Sequence, residues 1–110
     1  MNIFSSNEDK AVELIDKINI RIKQIRELMR NSPEDRLSFI TAPAAKALFR
    51  EAENYWRDYK RLVSTMNSMQ STLFMGRTVD CWNGERIGVF MWQEYFSDVY
   101  RALSIELTKL

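Results

Sequence analysis

Residues 45–73 read AKALFREAENYWRDYKRLVSTMNSMQSTL, and this stretch decides the fold class. Apolar residues occupy nine consecutive heptad positions in it, alternately three and four residues apart: Ala45, Leu48, Ala52, Tyr55, Tyr59, Leu62, Met66, Met69 and Leu73. This spacing places every side chain on one stripe of an α-helix, because a repeat of about 3.5 residues stays close to the helical 3.6. The sequence therefore predicts one long amphipathic helix with the pattern of a coiled coil.

The long helix is predicted to run from about residue 42 to residue 75. Thr41 and Pro43 are typical of a helix start, and Gly76 is typical of a helix end. At about 1.5 Å per residue such a helix is roughly 50 Å long. A further apolar column lies beside the stripe and consists of Phe49, Trp56 and Val63. The buried face is thus wide enough to pack against two neighbouring helices.

The flanking segments predict two further helices. The first runs from about residue 6 to 31, because Ser6 is a suitable N-cap and apolar residues follow at helical spacing. These residues are Ala11, Ile15, Ile18, Ile22, Ile25 and Met29. The last helix is predicted over about 87–108 from the spacing of Val89, Trp92, Phe96, Val99 and Leu103. Ser32 and Pro33 predict a short connector helix over 33–40.

The segment from residue 76 to 87 breaks the helical pattern. Asn83 and Gly84 are a strong signal for a two-residue turn, and Thr78 to Trp82 is compatible with extended backbone. An ordered loop and a small hairpin are both compatible with this segment. The prediction for the whole chain is an all-α fold: a single domain over 1–110 that forms a three-helix antiparallel bundle with one long central helix.

Composition narrows the classes of partner. Sixteen Lys and Arg residues balance fifteen Asp and Glu residues, so the chain has no overall field that attracts nucleic acid or an anionic membrane. One Cys and no His exclude an internal disulfide and the usual zinc ligand sets. The N-terminus lacks the pattern of a signal peptide, and no apolar run is long enough for a membrane span. We therefore expect a reducing, cytoplasmic location and no cofactor.

Catalytic residue patterns are missing as well. Without His, acid–base catalysis by imidazole and nucleophiles activated by imidazole are impossible. The spacing of Gly76, Gly84 and Gly88 does not form a phosphate-binding loop. The neighbouring charge of Asp80 is expected to raise the pKa of the Cys81 thiol and so to make it less reactive. The sequence therefore predicts a protein that is not an enzyme, with no catalytic, cofactor-binding or metal-binding residues.

The predicted helix lengths leave one end of the central helix uncovered. If the first helix packs back along it, about eight residues, some 12 Å, extend beyond their neighbour. The apolar residues of that end are Met66, Met69, Leu73, Phe74 and Met75. Locally only Ile3 and Phe4 are available to cover them. Exposed apolar area of this kind usually marks an interface, so we expect self-association.

Aromatic residues are concentrated between Trp82 and Tyr100, in excess of what one helix face buries, and such residues often anchor protein contacts. The predicted function is therefore a non-enzymatic helical protein–protein interaction module. We expect a homodimer that acts as a small regulator, inhibitor, chaperone or adaptor of another protein. The predicted partner or self-association residues are Met66, Met69, Leu73, Met75, Trp82, Phe90 and Tyr95.

A dimeric nucleic-acid-binding regulator is the alternative function. It would use the basic side of the central helix, formed by Lys46, Arg50, Arg57 and Arg61. Trp56 and Tyr59 lie near the second half of this line, where they would stack on bases. Against this alternative, both aromatic residues belong to the apolar columns, and the net charge of the chain is only +1.

Overall fold

Residues 6–110, which a computed structural model describes, form four helices, a short 3-10 turn and a two-stranded sheet. In chain order the elements are α1 (Asn7–Arg30), the turn (Pro33–Asp35), α2 (Ala42–Ser64), α3 (Ser68–Met75), β1 (Thr78–Asp80), β2 (Arg86–Gly88) and α4 (Val89–Thr108). The chain is mostly helical, which agrees with the predicted all-α fold class, and the two-stranded sheet is small. The finer prediction of a three-helix bundle is not confirmed, because the predicted long central helix is divided into α2 and α3.

The three longer helices lie side by side, with α2 antiparallel to both α1 and α4. Lys46, near the start of α2, donates a hydrogen bond from Nζ to the carbonyl oxygen of Leu110 (3.2 Å), beyond the end of α4. Tyr59, near the end of α2, donates to the side chain of Gln93 near the start of α4. The molecule measures 46 × 27 × 23 Å and has two distinct ends. The connection end carries the α1–α2 connection and the C-terminus, and the α3 end carries α3 and the start of α4.

The predicted helix over 42–75 is wrong as a single element. It ends at Ser64, and a new helix begins at Ser68. Asn67 accepts a hydrogen bond from the backbone N–H of Gln70 (2.8 Å), and the Gln70 side chain accepts one from the backbone N–H of Asn67 (3.1 Å). This capping box satisfies amide groups that an uninterrupted helix would have bonded itself. The apolar heptad spacing continues across the break, and such spacing does not reveal where a capping box ends one helix and begins the next.

The break changes which side chains are exposed at the Met-rich end of the predicted central helix, residues 66–75. Phe74 on α3 turns into the core, where it is only 1% exposed and its ring centroid lies 6.2 Å from that of Tyr59. Met66 and Met75 are partly buried and pack against the same core. The predicted uncovered end is therefore covered in part by its own chain. Ile3 and Phe4, the residues expected to cover it, lie outside the described residues.

Three other predicted boundaries can be compared with the structure. The first helix begins as expected, because Ser6 Oγ accepts a hydrogen bond from the backbone N–H of Asp9 (3.1 Å). The predicted connector helix over 33–40 is wrong, since only a three-residue 3-10 turn forms there. Glu34 and Asp35 adopt positive φ angles of 61° and 52°, which an α-helix does not accommodate. The last helix starts at residue 89 rather than 87, because residues 86–88 form strand β2.

Of the two alternatives for residues 76–87, the structure shows the hairpin. Strands β1 and β2 pair antiparallel, with Thr78 opposite Gly88. The backbone N–H of Cys81 donates to the carbonyl oxygen of Glu85 (2.8 Å), so the loop contains three residues rather than the expected two. Gly84, the last of the three, has φ +87°, and a glycine in this region is typical of three-residue hairpin loops. The turn signal was correctly placed, and the loop is one residue longer.

Aromatic rings fill the space between α2, α4 and the hairpin. Trp92 is fully buried, its ring is stacked on that of Phe96 at a centroid distance of 5.4 Å, and Trp56 and Trp82 contact both rings. The Trp92 indole donates from Nε1 to Asn19 Oδ1 (2.8 Å), and Asn19 Nδ2 donates to the backbone carbonyl of Asp80 (2.6 Å). One buried amide thus joins α1, β1 and α4. Within residues 6–110 every buried side-chain N or O atom has a hydrogen-bond partner.

Replacing Asn19 by Ala is expected to lower the free energy of unfolding by about 2–4 kcal/mol. The change leaves the buried Trp92 indole N–H unpaired, which costs about 1–3 kcal/mol, and removes the partly buried bond to the Asp80 carbonyl, which contributes about 1 kcal/mol. The matched control is Gln24→Ala on the exposed side of α1, where a change within about 0.5 kcal/mol is expected. Equilibrium unfolding in urea measures both. Equal small changes in the two variants would contradict the bridging role of Asn19.

Candidate functional site

Possible metal ligands and the single thiol, Cys81, are the first groups to consider for chemistry. Among residues 6–110, no group of three or more Cys, Asp and Glu side chains could hold a metal ion. Cys81 is only 2% exposed, and burial is the largest cause that raises the pKa of its thiol. The charge of Glu85 raises that pKa further, while hydrogen bonds from the backbone of Asn83 and Trp82 oppose the shift. Burial therefore disfavours the reactive thiolate form and keeps the thiol away from reagents.

Two helices expose large apolar side chains at the α3 end. On α3, Met69 is 74% and Leu73 is 69% exposed, and on the first turn of α4 Phe90 is 59% exposed. The end of α3 and the start of α4 lie close together here: the backbone N–H of Val89, the first residue of α4, donates to the carbonyl oxygen of Arg77, two residues after α3 (2.8 Å). We name the exposed apolar residues of α3 and of the start of α4 the α3–α4 surface. It comprises Met69, Leu73, Phe90, Met91 and Tyr95.

The residues predicted for partner contact fall into three groups. Four are exposed and belong to the α3–α4 surface, namely Met69, Leu73, Phe90 and Tyr95. Met66 and Met75 are half-buried. The seventh residue, Trp82, is only 7% exposed, and its ring packs edge-on against Trp92 and Phe96 at centroid distances of 6.4 and 6.3 Å, so it belongs to the core. The hairpin folds back over the aromatic core, a placement that local sequence does not reveal.

The sequence contains a signal for this surface that apolar spacing does not use. Fifteen consecutive residues from Leu62 to Gly76 carry no charge, in a chain of which 28% is charged. Arg61 and Arg77 flank this stretch, and Arg77 is paired with Asp9 on α1 (3.2 Å). The interior of protein interfaces is depleted of charged residues, whereas an ordinary exposed helix carries many. An exposed helix without charges is therefore unusual, and this property indicates that α3 is an interface segment.

A second exposed apolar feature lies at the connection end, where the sequence predicted only a connector helix. Phe39 is 85% and Ile40 is 89% exposed, more than any other large apolar residue among those described. They form the tip of a turn closed by a hydrogen bond from the backbone N–H of Ala42 to the carbonyl oxygen of Ser38 (2.9 Å). We name Phe39 and Ile40 the apolar knob. The predicted connector helix over 33–40 includes both residues, so the sequence did not indicate that they lie at the tip of a turn.

A groove runs from the knob along α4. It consists of two cavities of about 640 and 350 Å³, and Ala102 and Glu106 line both. Glu106 Oε1 also accepts a hydrogen bond from the backbone N–H of Leu37 (3.3 Å), which fixes α4 to the α1–α2 connection. Ile105, which lines the larger cavity, is 55% exposed. We name the two cavities together the α1–α4 groove.

The cations on the predicted basic side of α2 have some partners within the chain, while Arg50, Arg57 and Arg61 stay exposed. Lys46 bonds to the carbonyl oxygen of Leu110 (3.2 Å), Arg57 Nη1 to Asn54 Oδ1 (3.5 Å), and Arg61 pairs with Asp58 (3.9 Å). Arg50 lines a small cavity together with Lys46 and Glu53. Tyr59 is 1% exposed and Trp56 packs against Phe96, so their rings belong to the core.

Comparison with known proteins yielded no match to a family model, a curated protein or a solved structure. Within residues 6–110, no helix combines the length and apolar character that a membrane crossing requires. The candidate sites are therefore the features of the chain's own surface: the α3–α4 surface at one end, and the apolar knob with the α1–α4 groove at the other.

Cys81 provides a direct check on the description of the hairpin and core. Reaction of the native protein with a chromogenic disulfide reagent at neutral pH is expected to be at least about tenfold slower than in denaturing urea, because burial shields the thiol and raises its pKa. The reaction rate followed by absorbance measures this. A native protein that reacts as fast as the unfolded chain would contradict the buried position of Cys81.

Proposed function

We propose that this chain is a non-enzymatic, homodimeric helical interaction module that regulates, inhibits, escorts or links another protein. In this proposal the α3–α4 surface binds the partner protein. The observation that carries it is the contrast within α3: Met69 and Leu73 are 74% and 69% exposed, while Phe74 beside them is 1% exposed. The helix is anchored by one side chain and presents its other large apolar side chains outward.

The construction of α3 supports a binding role. Isolated helices as short as its eight residues are unstable in water, so this one depends on its capping box and on the burial of Phe74. The capping box and Phe74 already stabilise this helix, and the exposed side chains of Met69 and Leu73 add little to its stability. Flexible Met side chains adapt to apolar surfaces, and aromatic residues are enriched at interfaces. Met69 and Phe90 match that description.

The chemistry of α3 also indicates the class of partner. Besides its apolar residues, this helix contains only uncharged polar ones: Ser68, Gln70, Ser71 and Thr72. Such a surface offers neither cations for phosphates nor charges that steer an ionic partner. It is suited to an apolar groove or helix face of another protein, with the Ser, Thr and Gln residues as its polar rim.

The alternative of a dimeric nucleic-acid-binding regulator would rest on the exposed guanidinium groups of Arg50, Arg57 and Arg61. Three carboxylates lie between them along α2, at Glu51, Glu53 and Asp58. Titration of a DNA or RNA pool at two salt concentrations separates the two proposals, because phosphate contacts give binding that weakens steeply with salt. Such binding would favour the alternative, and its absence at low salt would remove it.

The test of the proposed function compares three immobilised proteins: the natural chain, Leu73→Asp and the matched control Ile20→Asp. Ile20 is 49% exposed on α1 and belongs to neither candidate surface. Proteins captured from the native host are quantified by mass spectrometry. We expect a specific partner whose capture falls about 30-fold or more with Leu73→Asp, the loss of one hot-spot contact of about 2 kcal/mol, and is retained by Ile20→Asp.

Identical captured proteins for all three baits would contradict the proposal. Circular dichroism of the two variants checks that each retains the helical content of the natural chain. Because both variants place a carboxylate on an exposed helix position, a difference between them reports on the location of the charge rather than on its presence.

A further inference from the structure

The apolar knob is held in place by a network of hydroxyl groups. The backbone N–H of Ser38 donates to Thr41 Oγ1 (3.1 Å), and the backbone N–H of Thr41 donates to Ser38 Oγ (3.3 Å). Thr41 Oγ1 also lies 3.3 Å from the hydroxyl of Ser32, which is itself 7% exposed and donates to the carbonyl oxygen of Leu28 (2.8 Å). The turn that presents Phe39 and Ile40 is therefore fastened to the end of α1.

This rigidity matters because binding through a mobile loop costs conformational entropy. Because hydrogen bonds already fix this turn on both sides, it loses little further conformational entropy when a partner buries its tip. Phe39 and Ile40 are at least 85% exposed, so the intramolecular fold gains almost nothing from their apolar surface. An exposed, pre-organised pair of large apolar side chains has the properties of an interface anchor.

A cavity that suits such an anchor lies directly beside the knob. Ser38, the residue before Phe39, lines the larger cavity of the α1–α4 groove. The apolar part of that lining consists of Pro33, Leu37, Ala102, Ile105 and Leu110. Its volume of about 640 Å³ falls in the range of cavities that enclose small molecules, which is ample for one aromatic and one aliphatic side chain. The knob does not occupy its own cavity.

We propose that a second copy of this chain completes the site: the apolar knob of each copy inserts into the α1–α4 groove of the other, around a two-fold axis. In a two-fold interface the same patch of both copies meets itself, so the patch must be self-complementary. A patch that carries a projection and a cavity side by side fulfils that condition, because one rotation places each projection against the other cavity.

The charges around the groove fit a second copy. Its lining contains four cations, Arg26, Arg30, Arg36 and Lys109, and three anions, Glu34, Asp35 and Glu106. Within one copy, Arg36 pairs with Glu34 (2.8 Å) at an exposed position. A nearly balanced rim of both signs meets its own copy without net repulsion, and it offers opposite charges to pair across the axis. A strongly acidic or basic partner would find less complementarity here.

This inference rests on the homodimeric part of the proposed function and assigns the dimer to the connection end. The sequence alone predicts self-association along the central helix or at its Met-rich end, residues 66–75. With the dimer at the connection end, the α3–α4 surfaces of the two copies stay free at the far ends of the assembly. The resulting particle presents two copies of the partner-binding surface.

Sedimentation velocity over a range of concentrations tests the proposal with four full-length proteins: the natural chain, Phe39→Glu, Leu73→Asp and Ile20→Glu. We expect dimers of the natural chain, Leu73→Asp and Ile20→Glu, and a Phe39→Glu variant that remains monomeric or dimerises at least about 30-fold more weakly. Circular dichroism checks that Phe39→Glu is folded, and we expect an unchanged helical content because the residue is 85% exposed.

Several results would overturn the proposal. If Phe39→Glu dimerises like the natural chain, the knob is not the contact. If Leu73→Asp alone dissociates, the dimer lies at the α3–α4 surface, and the homodimeric function stands while this inference fails. A natural chain that stays monomeric refutes the inference and the homodimer together. Partner binding at the α3–α4 surface is then decided separately by the capture experiment.

A mixing experiment tests the two-fold arrangement itself. Ala102→Trp fills the groove, because Ala102 lines both of its cavities, and it leaves the knob intact. Each variant alone has no working knob-in-groove contact, whereas a heterodimer of Phe39→Glu with Ala102→Trp retains one of the two. We expect more dimer in the mixture than in either variant alone. A mixture as monomeric as its components would contradict the two-fold knob-in-groove contact.

Discussion

The structure depends on one buried amide. Asn19 accepts a buried hydrogen bond from the Trp92 indole and donates a partly buried one to the backbone carbonyl of Asp80, and an unpaired polar group in the low-dielectric core is costly. This bridge joins α1 to α4 and to the hairpin at a single point. It brings the hairpin over the aromatic core, so that Trp82 is buried. It also sets the position of α4, which contributes to both candidate surfaces.

Local patterns predict most of the helices and little of what arranges them. Apolar spacing and the Ser6 cap predict α1 closely, since both signals lie within the helix itself. The same spacing fails at Asn67, where a capping box stops a helix whose apolar pattern continues. The burial of Trp82 is not visible in the local sequence, because the contacts that hold the hairpin over the core are long-range, such as the two hydrogen bonds of Asn19 to residues 61 and 73 positions away. No local pattern contains that information.

The candidate surfaces were predictable to different degrees. Met69, Leu73, Phe90 and Tyr95 were identified from excess apolar content and are exposed, although the uncovered rod from which the Met-rich end was inferred does not exist. The apolar knob was missed, because positive φ angles at Glu34 and Asp35 end the predicted connector helix and leave Phe39 and Ile40 on a turn. Together the two ends describe our proposal: a small helical module that pairs with itself at one end and presents α3 to another protein at the other.

The most direct test of the account is the hydrogen exchange of the Trp92 indole N–H, followed by NMR in the natural chain. If its bond to Asn19 holds the core together, this proton exchanges only through global unfolding, and its protection matches the free energy of unfolding measured in urea. Its protection should then equal that of the slowest backbone amides of α1. An indole proton that exchanges through a local opening, while the α1 amides remain protected, would contradict the central role of this bridge.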